Sequence, residues 1–141
     1  MEALGRLFNV QYAMDDVYVN LKNAGGVTFV CYLAAGDTWT LTEDKLGAGA
    51  DAQVLATITR YWTSTGTGAD TWTLTTQAAG SSFITAGGGV TNMAVFSVEA
   101  SELSDGYKYV KCTSTGAGIV IAIHHDLVVA RKPSNLLKMG V

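Results

Sequence analysis

Two histidines stand side by side near the end of the chain, His124 and His125, and Asp126 follows them directly. In a strand, neighbouring side chains point to opposite faces, so the two imidazoles cannot jointly hold one metal ion. Asp126 shares a face with His124, where a carboxylate could orient a catalytic imidazole. No Gly-x-Ser-x-Gly stretch supplies the nucleophile that such an imidazole would serve. We therefore expect structural or surface histidines without a metal site, and a small hydrolase using His124 and Asp126 is the rival hypothesis.

Acidic residues cluster at three places: Asp15 and Asp16, Glu43 and Asp44, and Glu99, Glu102 and Asp105. All three places are at or near predicted turns, so solvated strand ends and caps explain them. A glycosidase needs two carboxylates that face each other across a cleft, and nothing in the sequence favours that arrangement. We predict that the protein is not an enzyme.

Glycine-rich runs occur at "GAGAD", "GTGAD" and "AGGGV" and raise the question of a phosphate-binding loop. None of them carries Gly-Lys-Ser/Thr, and none opens a recognisable helix. These glycines are typical of loops between strands, and no cofactor is expected.

The hexamer "DTWTLT" occurs twice, at residues 37–42 and 70–75. Its period is two, with tryptophan and leucine on one side and threonines on the other, which predicts a half-buried antiparallel strand. This alternation favours a core position for Trp39 and Trp72, and also for Trp62. The alternative is a carbohydrate- or receptor-binding module in which Trp62 or Trp72 is exposed.

Further strands are predicted at "GVTFVCYLA", "VLATITRYWT", "NMAVFSVEA", "YKYVKCTS" and "GIVIAIHHDLVVAR". The last is apolar on both faces over residues 119–123, which indicates a central strand or one covered by a neighbouring subunit. One proline and 16 glycines leave the strand interiors unbroken and mark the turns. The predicted fold is all-β, an antiparallel β-sandwich or jelly-roll-like barrel with extended N- and C-terminal segments.

Three regions are expected: residues 1–22 as an N-terminal arm or short helix leading into the first strand, 23–130 as the body, and 131–141 as a tail. The tail "RKPSNLLKMGV" is too short to pack on itself, so it either docks onto something else or frays. The predicted contacts with a partner protein or with another subunit are Leu4, Leu7, Phe8, Arg131, Lys132, Leu136, Leu137 and Met139.

The overall composition points to association. Of 141 residues, 15% are charged and 48% hydrophobic, against about a quarter charged in ordinary soluble domains. The mean hydropathy is +0.23, and the sequence contains no candidate membrane span. The surplus apolar residues must therefore lie in a core or in contacts with other subunits. We predict a homo-oligomer that does not bind a membrane. A net charge of -3 argues against a nucleic-acid partner.

The start lacks a signal-peptide pattern, so Cys31 and Cys112 should remain thiols in a reducing cytoplasm, whereas export would permit a disulfide between them.

The pattern "VTFVC…DTWTLT…SELSDGYKYVKCT…IHHDLVVARKPSNL", together with threonine-rich exteriors and low charge, resembles small virion proteins of tailed bacteriophages. The chain is most similar in character to capsid decoration, or cement, proteins. The resemblance implies a β-rich body outside an icosahedral shell that clamps neighbouring major capsid subunits, made in the host cytoplasm. Another head or tail component is the alternative in the same class.

Overall fold

The computed structural model describes residues 3–88 and 90–136, and for residues 12–14 it describes the backbone only. The described residues form eleven strands and two short 3-10 turns, Ala100–Glu102 and Pro133–Asn135. The strands are β1 (Phe8–Met14), β2 (Val19–Asn20), β3 (Ala24–Tyr32), β4 (Thr38–Asp44), β5 (Gln53–Val54), β6 (Ile58–Ser64), β7 (Thr73–Gly80), β8 (Ser82–Ile84), β9 (Met93–Glu99), β10 (Tyr109–Ser114) and β11 (Ile119–Leu127).

The strands build two sheets in which every pairing between strands is antiparallel. The six-stranded sheet has the order β1-β11-β3-β9-β6-β7, and the five-stranded sheet has the order β2-β10-β4-β5 with β8 also paired to β4. The sheets pack face to face and do not close into a barrel. The prediction of an all-β antiparallel sandwich is therefore confirmed.

The core lies between the sheets and follows the alternation in the sequence. On β3, Val27, Phe29 and Cys31 are buried and the residues between them are not. Phe83 of β8 meets Phe96 of β9 edge-on at 5.3 Å between ring centroids, so aromatic side chains join the two layers.

The two copies of the repeated hexamer have different environments. Trp39 is fully buried, and its Nε1 donates a hydrogen bond to Thr85 Oγ1 at 2.9 Å. Trp72 and Leu74 are 46% and 45% exposed, so the prediction of a core position is wrong for Trp72. The cause is the face to which each copy points, because Trp39 points into the sandwich, whereas Leu74 pairs with the exposed Trp62 on the solvent side of the six-stranded sheet and Trp72 lies beside Trp62.

The N-terminal segment belongs to the six-stranded sheet. Phe8–Met14 pairs with β11 along its whole length, so the first strand begins well before the predicted boundary at residue 23. No helix forms over residues 3–7, which make a turn instead, with the N–H groups of Arg6 and Leu7 donating to the carbonyl oxygen of Ala3 at 3.1 and 2.8 Å.

The described part of the C-terminal tail packs against this N-terminal turn. The Arg131 N–H donates to the carbonyl oxygen of Gly5 at 2.7 Å. A Cβ at Gly5 would lie 3.1 Å from Leu136 Cδ2, so the leucine sits directly over the glycine. Residues 131–136 thus contact the N-terminal turn of their own chain, while Leu137 and Met139 lie outside the described residues, and docking of the tail onto a partner stays a prediction.

Candidate functional site

The two histidines differ in burial and in partners. His124 is 6% exposed, and within the described residues its Nε2 has no hydrogen-bond partner. Burial, with a smaller contribution from His125, lowers the pKa of His124 from 6.5 to about 4. Asp126 has a positive φ of 51°, which breaks the alternation, and its Oδ2 lies 2.8 Å from Nδ1 of His125. The proposed orientation of His124 by Asp126 is thus wrong.

Glu43 and Asp44 are buried, which corrects the expectation that these acids are solvated. Glu43 accepts hydrogen bonds from Gln53 Nε2 at 2.6 Å and from the Ser104 N–H at 2.9 Å. The carboxylate therefore ties β5 and the loop at Ser104 to β4, a role in which its charge is compensated by donors.

The glycine-rich loop "GAGAD" closes on the carboxylate of Asp44. This carboxylate accepts hydrogen bonds from the N–H groups of Leu46 (3.0 Å), Ala48 (3.1 Å) and Asp51 (3.0 Å), and also of Gly47. Burial raises the pKa of Asp44, but these backbone donors outweigh it and lower that pKa overall. Because the chain's own carboxylate uses the donors that a phosphate would need, this loop is not a phosphate cradle.

The aspartates that open the two hexamers also hold loops. Asp37 accepts hydrogen bonds from the N–H groups of Thr38 (2.7 Å) and Gly116 (2.8 Å) and from the hydroxyls of Ser114 and Thr115. Partial burial raises the pKa of Asp37, yet these donors lower it overall, from 3.8 to about 2. These bonds join the start of β4 to the loop after β10.

Asp70 has a smaller set of partners within one loop. It accepts hydrogen bonds from the Thr65 N–H at 2.8 Å and from Thr65 Oγ1 at 2.7 Å. The backbone and side-chain bonds from Thr65 lower the pKa of Asp70. The repeated hexamer therefore starts with a loop-holding aspartate both times, although only one copy continues into the core.

The outer face of the six-stranded sheet carries a row of apolar side chains. The strand register places one residue from each of five successive strands side by side: Ile121, Val30, Val95, Trp62 and Leu74. We call these five residues the outer-face row. Trp62 is 44% exposed, so the prediction of a core position is wrong for Trp62 as well, and the others are half-buried or exposed. No charged residue interrupts the row, which makes it the best candidate for a contact surface.

Two concave regions adjoin the outer-face row. One, of about 480 Å³, is lined by Trp62, Trp72 and Val95. The other, of about 530 Å³, is a groove lined by Thr57, Ile58, Thr59, Arg60, Trp62, Val95, Phe96, Ser97, Glu99 and Glu102. The apolar surface is thus flanked by a charged rim, which is typical of interaction sites.

The described residues among the predicted contacts gather at a different place, the corner where residues 3–8 meet residues 131–136. Leu4 forms an isolated β-bridge with Phe8. Leu136 lies over Gly5, which follows Leu4 in the sequence. Leu7 is 67% exposed at this corner. Arg131 and Lys132 are exposed beside it.

The sequence contained a partial signal for the outer-face row. Residues 119–123 of β11 were expected to be apolar on both faces, and Ile121 belongs to the row. The contributions of Val30, Val95, Trp62 and Leu74 were missed because only the register between strands aligns them.

One group of described residues has the donor types of a metal site: Glu99, His125 and Asp126. Each offers one ligand atom, and these atoms all lie within 4.8 Å of one another. His125 thus has two carboxylates beside it, although His124 is directed into the sandwich.

Comparisons of the chain with protein-family models, curated proteins and solved structures find no match. Among the residues that the structure describes, no helix has the length and apolar character needed to cross a bilayer.

Proposed function

We propose that this protein is a structural virion protein that binds the outside of a phage capsid and stabilises contacts between major capsid subunits. The observation that carries the proposal is the outer-face row, an apolar stripe five strands wide on the solvent side of a sheet. The five-stranded sheet does not cover the outer-face row, because it packs on the other face of the six-stranded sheet.

The character of this surface suits repeated attachment to a lattice. Each copy gains a modest hydrophobic contribution, about 25 cal/mol for each Å² of apolar surface buried. On a symmetric shell many copies act together, so weak contacts add up to a large stabilisation of the closed particle. The low charged fraction, 15%, keeps the desolvation cost of such contacts small.

The loops support the same role because the chain's own carboxylates hold them in place. Asp44 closes the loop after β4, and Asp37 links the start of β4 to the loop after β10. A body with fixed loops loses little conformational entropy when it binds, which favours a clamping function.

We assign a second contact to the corner where residues 3–8 meet residues 131–136. Its members are the predicted residues Leu4, Leu7, Phe8, Arg131, Lys132 and Leu136, with Leu137 and Met139 outside the described part of the chain. In this proposal the partner is the major capsid protein, with further copies of the chain as homo-oligomer neighbours and neither nucleic acid nor membrane involved. The site of action is the capsid surface, after synthesis in the host cytoplasm.

The test is co-expression with the major capsid protein encoded in the same genome, followed by gradient sedimentation of the shells. The wild-type chain is expected to sediment with shells at a fixed copy number per capsid subunit. The double variant Trp62→Ser/Val95→Thr removes the centre of the outer-face row and should lose at least about tenfold in occupancy.

Ile84→Thr provides the control, since Ile84 is an equally apolar, 71% exposed residue on the other sheet. This variant should keep full occupancy. Absence of the wild-type chain from shells, or equal occupancy of the two variants, contradicts the proposal. Recovery of the protein only in head-completion or tail fractions of whole particles would reassign it within the virion.

The exposure of Trp62 and Trp72 favours one other function, a carbohydrate- or receptor-binding module. The two indoles and Val95 line a shallow, open depression of about 480 Å³, and aromatic faces of this kind stack on flat apolar faces of ligands. A sugar ligand would shift or quench tryptophan fluorescence in the wild type and not in Trp72→Ala. Unchanged spectra across a panel of glycans remove this alternative.

A further inference from the structure

The cluster Glu99, His125 and Asp126 is assembled across three adjacent strands. His125 of β11 pairs with Gly26 of β3, and Gly26 pairs with Glu99 of β9 on its other side. The imidazole and the Glu99 carboxylate are therefore separated by a strand that has no side chain at that position.

Gly26 makes room for the imidazole. A Cβ at this position would lie 2.6 Å from Cε1 and 2.9 Å from Nε2 of His125, closer than any real Cβ contact. The ring thus lies directly over the backbone of β3 and extends towards Glu99. Any larger residue at position 26 would push the imidazole away from the carboxylate.

Gly25 makes room for Asp126 in the same way. A Cβ at Gly25 would lie 2.8 Å from Cβ of Asp126. The positive φ of Asp126 turns its side chain towards His125 instead of the opposite face, and the two side chains bond at 2.8 Å. Two consecutive glycines therefore support two of the three members of the cluster.

The third member is held from another direction. The Glu99 carboxylate accepts a hydrogen bond from the backbone N–H of Glu102, and the Glu102 side chain in turn accepts from the Glu99 N–H at 2.7 Å. This reciprocal pair fixes Glu99 at the start of the 3-10 turn. All three ligand-bearing side chains are thus positioned by contacts within the fold.

From this geometry we propose that Glu99, His125 and Asp126 form a binding site for a divalent transition-metal ion of the Zn²⁺ type. One imidazole nitrogen and two carboxylate oxygens are a donor set that such ions accept, and water completes the coordination. Ca²⁺ requires six to eight oxygen ligands and is not expected to bind at this site with comparable affinity.

The experiment is calorimetric titration of Zn²⁺ into the metal-stripped full-length chain. The wild type should bind one ion per chain in a saturable step. Glu99→Gln and Asp126→Asn each remove one anionic ligand and should weaken binding at least about tenfold, since even indirect metal partners contribute 10–100-fold. Asparagine tolerates positive φ, so Asp126→Asn leaves the backbone in place.

Asp105→Asn is the matched control, because it removes the same charge from a nearby exposed acid outside the cluster. It should bind Zn²⁺ as the wild type does. Circular dichroism of the metal-free variants checks that each one folds. Lack of saturable binding by the wild type, or equal affinities of Asp126→Asn and Asp105→Asn, overturns the proposal.

Co²⁺ as a spectroscopic probe distinguishes this site from the cysteines. We expect the absorption spectrum of the Co²⁺-bound protein to lack a thiolate-to-cobalt charge-transfer band, because the proposed ligands are nitrogen and oxygen atoms. Appearance of that band would assign the ion to Cys31 or Cys112 and overturn the proposal. Binding of Ca²⁺ as tight as that of Zn²⁺ would also overturn it.

Discussion

Cys31 of β3 and Cys112 of β10 face each other across the sandwich with their Sγ atoms 3.6 Å apart. Both side chains are buried, and they belong to different sheets. Burial raises the pKa of the Cys31 thiol, and its contact with Cys112 raises that pKa further. Cys31 is held in the protonated state, in which a thiol is a poor nucleophile.

We expect neither thiol of the folded protein to react with a thiol-specific reagent at neutral pH on the timescale of minutes. In denaturant, both Cys31 and Cys112 should react at once, giving two labels per chain. Absorbance with a disulfide reagent, recorded with and without denaturant, measures this difference. Fast labelling of the native state would show that the sheets separate readily.

The two tryptophans of the repeated hexamer should respond differently to the same change. Trp39→Phe leaves a cavity and removes the hydrogen bond to Thr85, so we expect a loss of about 2–3 kcal/mol in the free energy of unfolding. Trp72→Phe changes an exposed residue and should stay within about 0.5 kcal/mol of the wild type. Urea denaturation measures both, and equal effects would contradict the environments described for the two copies.

The buried His124 makes stability depend on pH. Its pKa is about 4 in the folded chain and 6.5 when unfolded, so the unfolded state binds more protons between these values. The stabilisation is complete above about pH 6.5 and is lost progressively as the pH falls towards 4, by up to about 3 kcal/mol.

Substitution of each histidine in turn separates the contribution of His124 to the pH dependence of stability from the contributions of other titrating groups. Denaturation of His124→Leu should lack the drop between pH 6.5 and 4, whereas His125→Gln should retain it. Parallel pH profiles for His124→Leu and the wild type would exclude His124 as the cause.

Asp37 and Asp70 occupy the same position of the two hexamers, which makes them a matched pair. Asp37→Asn weakens bonds that join two loops, and we expect a loss of about 1–2 kcal/mol after allowance for solvent screening. Asp70→Asn affects a single loop and should cause a clearly smaller shift of Tm. Because the pKa of Asp37 is lowered to about 2, its contribution is present above about pH 4 and lost as the pH falls towards 2. Thermal unfolding of both variants at pH 7 and pH 3 checks these expectations.

Deletion of residues 131–141 should weaken capsid attachment and leave both sheets folded. The deletion removes the bond from Arg131 to Gly5 and the contact of Leu136, which together contribute about 1–2 kcal/mol. Far-UV circular dichroism should be unchanged while capsid occupancy falls. Undiminished occupancy of the truncated chain would exclude the tail as a contact.

The strands of the body could be predicted from the sequence because their period is local. Val27, Phe29 and Cys31 alternate with polar or smaller neighbours, and each was buried as the period indicated. Trp72 failed this rule because burial depends on what lies opposite a strand. The alternation does not tell which side of a strand faces the other sheet, and the apolar side of β7 faces solvent.

The candidate sites depended on information that the alternation does not contain. The outer-face row exists only through the register of five strands, and the metal cluster only through Gly26 lying between His125 and Glu99. The contact of Arg131 with Gly5 joins the two ends of the chain, a separation at which local pattern gives no signal. Asp126 was placed on the wrong face because its positive φ interrupts the strand.

The carboxylate of Asp44 bears on the engineering of the molecule. The Asp44 carboxylate holds the base of the loop after β4, and Gly49 lies at the part of the loop away from it. A Cβ added at Gly49 would meet no atom within 4 Å. A peptide tag or a fluorophore attachment site could therefore be inserted after Gly49, while the hydrogen bonds to Asp44 keep the base of the loop in place. Because this loop joins β4 and β5 of the five-stranded sheet, the tag would be attached to a different sheet from the one that carries the outer-face row.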